Sequence, residues 1–117
     1  MMEQVQGLLL RMRRLPLEIQ QMRRMIADMM NDGSLELADG MKREADGLAS
    51  QYQRDSVALM RNLGGLSHGD VIVLYRFYVL RQSNAEIAAR EHVDISVIKR
   101  RKRLAIQHLE EVWKREQ

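Results

Sequence analysis

Apolar residues return at alternating steps of four and three along the start of this chain: Leu8, Met12, Leu15, Ile19, Met22, Ile26 and Met29. That is the a/d spacing of a heptad, held for about three heptads. It predicts a helix with one apolar stripe, and such a stripe needs a partner to cover it. Arg11, Arg13, Arg14, Glu18, Arg23 and Arg24 fall on the other side and suit water. Pro16 interrupts the pattern. Inside a helix it removes one hydrogen bond and crowds the preceding turn, at a cost of about 3 kcal/mol. It marks either a kink or the first turn of a helix starting near Leu15, with residues 1–14 a separate segment. The stripe crosses Pro16 in phase, which favours the kink.

Asn31-Asp32-Gly33-Ser34 predicts a stop. Asn and Gly tolerate the left-handed conformation that closes a helix, and Ser34 can cap the next one. The second helix is expected from about Leu35 to Leu63, with a weaker stripe of Leu37, Met41, Ala45, Leu48, Tyr52, Leu59 and Leu63. Gly40 and Gly47 each lower its propensity by roughly 1 kcal/mol, and their small faces could admit the first helix closely. The two helices together read as an antiparallel, coiled-coil-like hairpin. Its stripes can cover each other, but a regular, Met-rich helix also suits an adaptable binding surface. The expectation is therefore a homo-oligomer built on Leu8, Met12, Leu15, Ile19, Met22, Ile26 and Met29, with a dimer favoured. Gly64-Gly65 permits backbone angles that no helix needs, so the chain divides into an oligomerising unit at 1–63 and a second unit at 64–117.

The second unit reads as three helices. Ser67 or Asp70 can cap a first one, whose apolar stretch Val71 to Val79 places Val71, Leu74, Phe77 and Tyr78 at helical spacing. Its β-branched start would suit a strand equally well. No partner strand is visible, so it is taken as a buried helix. After the connector Leu80-Arg81-Gln82, Ser83 and Glu86 form a capping box that opens a short helix from Asn84 to about Glu91. Ala88 supplies the small side chain needed where two helices cross. His92-Val93-Asp94 makes a turn, and Asp94 or Ser96 caps a last helix that ends near Trp113 or Lys114. Val93, Ile98, Ala105 and Leu109 would face the core, while Ile95, Ser96, Lys99, Arg100 and Arg103 would face outward. Five consecutive basic residues, Lys99-Arg100-Arg101-Lys102-Arg103, follow the start of this helix. The fold class expected is all-α: a helical hairpin followed by a three-helix helix-turn-helix unit.

Composition agrees with helix. Of 117 residues 45% are apolar but only 4% aromatic, so Leu, Met, Ile and Ala carry the burial. The net charge of +3 is too small for a polycation, yet the sign is unevenly spread: residues 31–65 hold four basic and six acidic side chains, against the wholly basic run at 99–103. That asymmetry suggests a local anionic partner. The absence of cysteine rules out disulfides and thiolate metal sites and fits a cytoplasmic setting. No apolar run approaches the roughly 20 residues that span a bilayer, and Met1-Met2-Glu3-Gln4 lacks a signal-peptide pattern. His68, His92 and His108 are scattered, so no metal is expected. Tyr75, Phe77, Tyr78 and Trp113 suit packing better than a base-stacking platform. With no phosphate loop, nucleophile elbow or paired carboxylates, the chain reads as a non-enzyme without a cofactor.

Glu86-Ile87-Ala88, then Val93-Asp94, then Ile98 and Ala105 through Leu109, resembles the pattern of bacterial sigma factor region 4. Leu74-Tyr75-Arg76-Phe77-Tyr78 resembles that family's stretch before the motif. The resemblance covers roughly Leu66 to Leu109 and extends to small phage-encoded transcriptional regulators. Three positions depart from it: Glu91 where a core Leu is usual, His92 where the turn Gly is usual, and Arg101 where an apolar residue is common. Either Glu91 pairs with Arg101 or the turn is reshaped.

The resemblance implies a duplex-DNA-binding regulator of transcription, phage or mobile-element encoded. Ser96, Lys99, Arg100 and Arg103 are then placed to reach base edges or phosphates, with Arg100 first for a guanine and Ile95 for a thymine methyl. Ser83, Asn84 and the amides opening their helix could hold a phosphate. Arg81 and Lys102 would contact the DNA backbone. Two alternatives stay open: a small terminase-like DNA-packaging protein of a phage, or a protein-interaction module contacting RNA polymerase or another regulator.

Overall fold

The computed structural model describes residues 2–116. Regular structure among them is helical throughout, with no strand: α1 (Met2–Asn31), α2 (Leu35–Leu63), α3 (His68–Leu74), α4 (Asn84–Glu91) and α5 (Ile95–Glu116). A five-residue π-helical turn, Tyr75–Val79, extends α3. None of these helices is long and apolar enough to cross a membrane.

α1 is continuous through Pro16, so residues 2–14 belong to the same helix as the rest. Burial explains this tolerance. Val5, Leu8, Leu9, Met12 and Leu15 are all buried on the N-terminal side of the proline. Each such side chain stabilises by about 1.5–3 kcal/mol, which together exceeds the roughly 3 kcal/mol that an internal proline costs. α1 closes at Gly33, whose φ of +82° is the left-handed value that glycine takes without strain. The Ser34 amide donates to the Met29 carbonyl at 2.9 Å. The Ser34 side chain, expected to cap α2, makes no capping hydrogen bond.

α2 returns along α1. Far from the termini, Ile26 packs with Ala38 and Ala45, flanked by Met22, Met29 and Met41. Nearer the start of α1, Arg11 pairs with Asp55, and the Ser56 hydroxyl lies 3.5 Å from the Met12 sulfur. The small residues at the contact are Ala38 and Ala45, seven apart and buried. A Cβ at Gly40 or Gly47 would meet nothing within 4 Å, so the two glycines expected to admit α1 face open space. Leu37, expected on the stripe, is 66% exposed, and its neighbour Ala38 takes the inward position.

The main core crosses the division expected at Gly64-Gly65. Val5, Leu8, Leu9 and Met12 of α1 and Leu59 of α2 join one cluster with Leu74, Tyr78, Ile87, Ile98 and Leu109. Neither glycine of the pair is left-handed: Gly64 is helical at φ −61°, and Gly33 is the positive-φ glycine. Gly65 instead serves close packing, since a Cβ there would come within 3.0 and 3.1 Å of the Val112 methyls. The pair separates helices rather than cores.

The cover demanded by the α1 stripe therefore comes from this chain. Leu8, Met12, Leu15 and Ile26 are buried in it, and Ile19, Met22 and Met29 are half-buried. These seven residues, expected to face a second copy, do not form a free apolar face.

Candidate nucleic-acid interface

The capping box that opens α4 is complete. The Glu86 amide donates to the Ser83 hydroxyl at 3.1 Å, and the Ser83 amide donates to the Glu86 carboxylate at 3.2 Å. α4 closes at His92, at φ 57° and ψ 42°. α4 therefore ends on a left-handed residue that is a histidine and not a glycine, at the steric cost that a Cβ imposes there. The Val93 amide completes the turn by donating to the Ala88 carbonyl at 3.0 Å. Ala88 is buried at the crossing. Glu91 and Arg101 are both exposed, and no ion pair joins them among the described residues.

Asp94 caps α5. Its carboxylate accepts hydrogen bonds from the Ser96 hydroxyl and, at 3.2 Å, from the Ser96 amide. The hydroxyl contact is the largest cause holding this carboxyl below its ordinary value of 3.8, and the Ser96 and Ile95 amides act in the same direction.

From this capped start, α5 buries Ile98, Ala105 and Leu109. The opposite face shows Ser96, Lys99, Arg100 and Arg103, spaced to share one side of a helix, and all four are exposed. Ile95 stands at the head of the helix, 42% exposed. Among the described residues no carboxylate lies within ion-pair distance of Lys99, Arg100 or Arg103. The face is cationic and uncompensated.

Lys102 departs from this group. It is half-buried, its Nζ lies 3.5 Å from the centroid of the Phe77 ring, and it donates to Asn84 Oδ1 at 3.1 Å. Burial pushes its ammonium below the ordinary lysine value, and the charges of Arg13 and Lys99 push the same way. Lys102 and Asn84, expected as separate DNA contacts, are thus bonded to each other, and the Ser83 hydroxyl and amide serve the cap. Arg81 is exposed in the connector, at φ 59°.

Arg13 is the contributor that sequence reasoning missed. Expected to face water, it puts its guanidinium carbon 4.0 Å from the Phe77 centroid. Its Nη1 donates to the carbonyls of Phe77 and Gln82. No signal in the sequence marks it: one residue past Met12, Arg13 takes the b position of the heptad, outside the e and g flanks from which charged residues reach a neighbouring helix. Of the other aromatics, Tyr78 and Trp113 are buried and Tyr75 is exposed. The described residues contain no group of three or more His, Cys, Asp or Glu able to hold a metal ion.

Comparisons with protein-family models, with curated proteins and with solved structures found no match to this chain.

Proposed function

We propose that the chain is a sequence-specific duplex-DNA-binding regulator of transcription. In this reading α4, the His92 turn and α5 form a helix-turn-helix like that of sigma factor region 4, and α1 with α2 forms a helical hairpin that buttresses it. The observation that carries the reading is the exposed, unneutralised face of Ser96, Lys99, Arg100 and Arg103 at the capped start of α5. A helix presented by a tight turn from a buried crossing can enter the major groove, with its first turns against base edges. Arg100 is assigned to a guanine, which its guanidinium can hold through O6 and N7, and Ile95 to a thymine methyl. Lys99, Arg103 and Arg81 are assigned to phosphates, which supply most of the affinity. Lys102 and Asn84 hold the recognition helix in place from behind.

The resemblance to small phage-encoded regulators supports a phage or mobile-element setting, and the absence of cysteine supports a cytoplasmic one. A dimer would need a surface other than the Leu8–Met29 stripe. Selection of bound duplexes from a random-sequence pool tests the reading. It predicts an enriched motif containing a guanine whose preference falls by about 1–3 kcal/mol in Arg100→Ala. A pool that yields no enrichment, with no binding at low salt, would exclude it.

A further inference from the structure

One flank of α5 carries Lys102 and its ring contact; the other borders a cavity of about 730 Å³ between α3, α4 and α5. That volume lies within the range of small-molecule sites, roughly 300–1,000 Å³. Val73, Ile87 and Ile98, all buried core residues, line it, so the cavity has an apolar wall. Three arginines also line it: Arg76 from the turn after α3, Arg90 from α4 and Arg101 from α5.

Two carboxylates share the lining, Asp70 and Glu91. Asp70 is already engaged, with His108 Nδ1 2.7 Å from its Oδ2, and no ion pair joins Glu91 to an arginine among the described residues. Positive charge therefore exceeds what the lining itself neutralises. Arg76 adds a second, independent sign: its Nε is buried and has no hydrogen-bond partner. A buried donor left unpaired is costly, and such groups are rare in folded proteins. The Arg76 guanidinium lines the cavity and forms no ion pair among the described residues, so an anion held there would neutralise it.

We propose that this cavity binds a small amphipathic anion, with an acidic oxygen headgroup against Arg76 and Arg101 and an apolar body against Val73, Ile87 and Ile98. The site stands or falls independently of the DNA reading, because it uses none of Ser96, Lys99, Arg100 or Arg103.

The probe is 8-anilinonaphthalene-1-sulfonate, which joins an anionic headgroup to an aromatic body. Fluorescence titration of the full chain is paired with amide chemical-shift mapping, which also reports that each variant is folded. The expected result is saturable binding of one probe per chain, with the largest shifts in residues 67–76, 87–91 and 98–108. Arg76→Gln and Arg101→Gln each weaken it about tenfold or more, the loss of one charged hydrogen bond, while Arg43→Gln on α2 leaves it unchanged. Arg101 is exposed, so its variant reports on the site even where Arg76→Gln fails to fold. Non-saturating binding, shifts centred on α1 and α2, or an Arg101→Gln variant that binds as the parent does would each overturn the proposal.

Discussion

The Lys102 ammonium lies 3.5 Å from the centroid of the Phe77 ring. With Arg13 at 4.0 Å from the same ring, one aromatic side chain ties α5, the turn after α3 and α1 together. The two cations repel each other, and the ring offsets this through its negative faces, helped by Asn84 Oδ1 and two main-chain carbonyls. Phe77 also meets Tyr78 edge-on at 4.8 Å. The basic face at the start of α5 is thereby mounted on α1, and the long helices position the candidate site.

Replacing Phe77 should therefore loosen more than one contact. Phe77→Leu keeps apolar volume but removes the ring. It is expected to destabilise the chain by about 2 kcal/mol, the sum of two partly desolvated cation–π contacts. A urea unfolding curve measures this, and a midpoint equal to the parent's would show that the ring does not hold the cations.

The histidine in the α4–α5 turn makes the opposite prediction. His92 holds φ 57°, where a side chain costs energy and glycine does not. His92→Gly is expected to raise stability by about 1 kcal/mol, less the entropy that glycine loses on folding, with DNA affinity unchanged. Thermal unfolding with and without duplex checks both parts.

Adjacent glycines should behave differently. A Cβ on Gly65 would press on Val112, a stiff β-branched side chain that is 7% exposed. Gly65→Ala is expected to cost about 1–2 kcal/mol by overpacking. A Cβ on Gly64 meets nothing within 4 Å in a helical backbone, so Gly64→Ala should be neutral or stabilise by about 0.4–1 kcal/mol. Equal effects in the two unfolding curves would contradict the packing described.

Much of this was legible in the sequence because it is local. The Ser83/Glu86 box, the ends of α2 and α4, the stop at Gly33, and the inward set Ile98, Ala105 and Leu109 all follow from residues within a turn or two of one another. What was hidden depends on which helices meet. The α1 stripe demanded cover, but nothing in its spacing says whether α2, α5 or a second copy supplies it. Asp55 reads as a surface acid until Arg11 from 44 residues away places two nitrogens on it, at 2.9 and 3.1 Å. Lys102 looked like its four basic neighbours, and only Phe77 and Asn84 in space set it apart.

The acid limb of stability should carry the mark of Asp94. Its folded value is depressed, so its contribution is fully present above the ordinary carboxyl value of 3.8 and is lost as pH falls through the lower folded value. The Ser96 amide resonance should therefore titrate below 3.8, and its titration should vanish in Asp94→Ala. A Ser96 midpoint at or above 3.8 would contradict the capping geometry.

The proposed docking of the α5 basic face on duplex DNA would show in the salt dependence of binding for the parent and the Arg100→Ala/Arg103→Ala variant, read by fluorescence anisotropy on a duplex from the selected pool. Affinity should fall linearly on logarithmic axes as salt rises, and the variant should bind more weakly, with a slope shallower by about one for each phosphate contact removed. A parent that binds without salt dependence, or a variant with the parent's affinity and slope, would exclude DNA binding through this face.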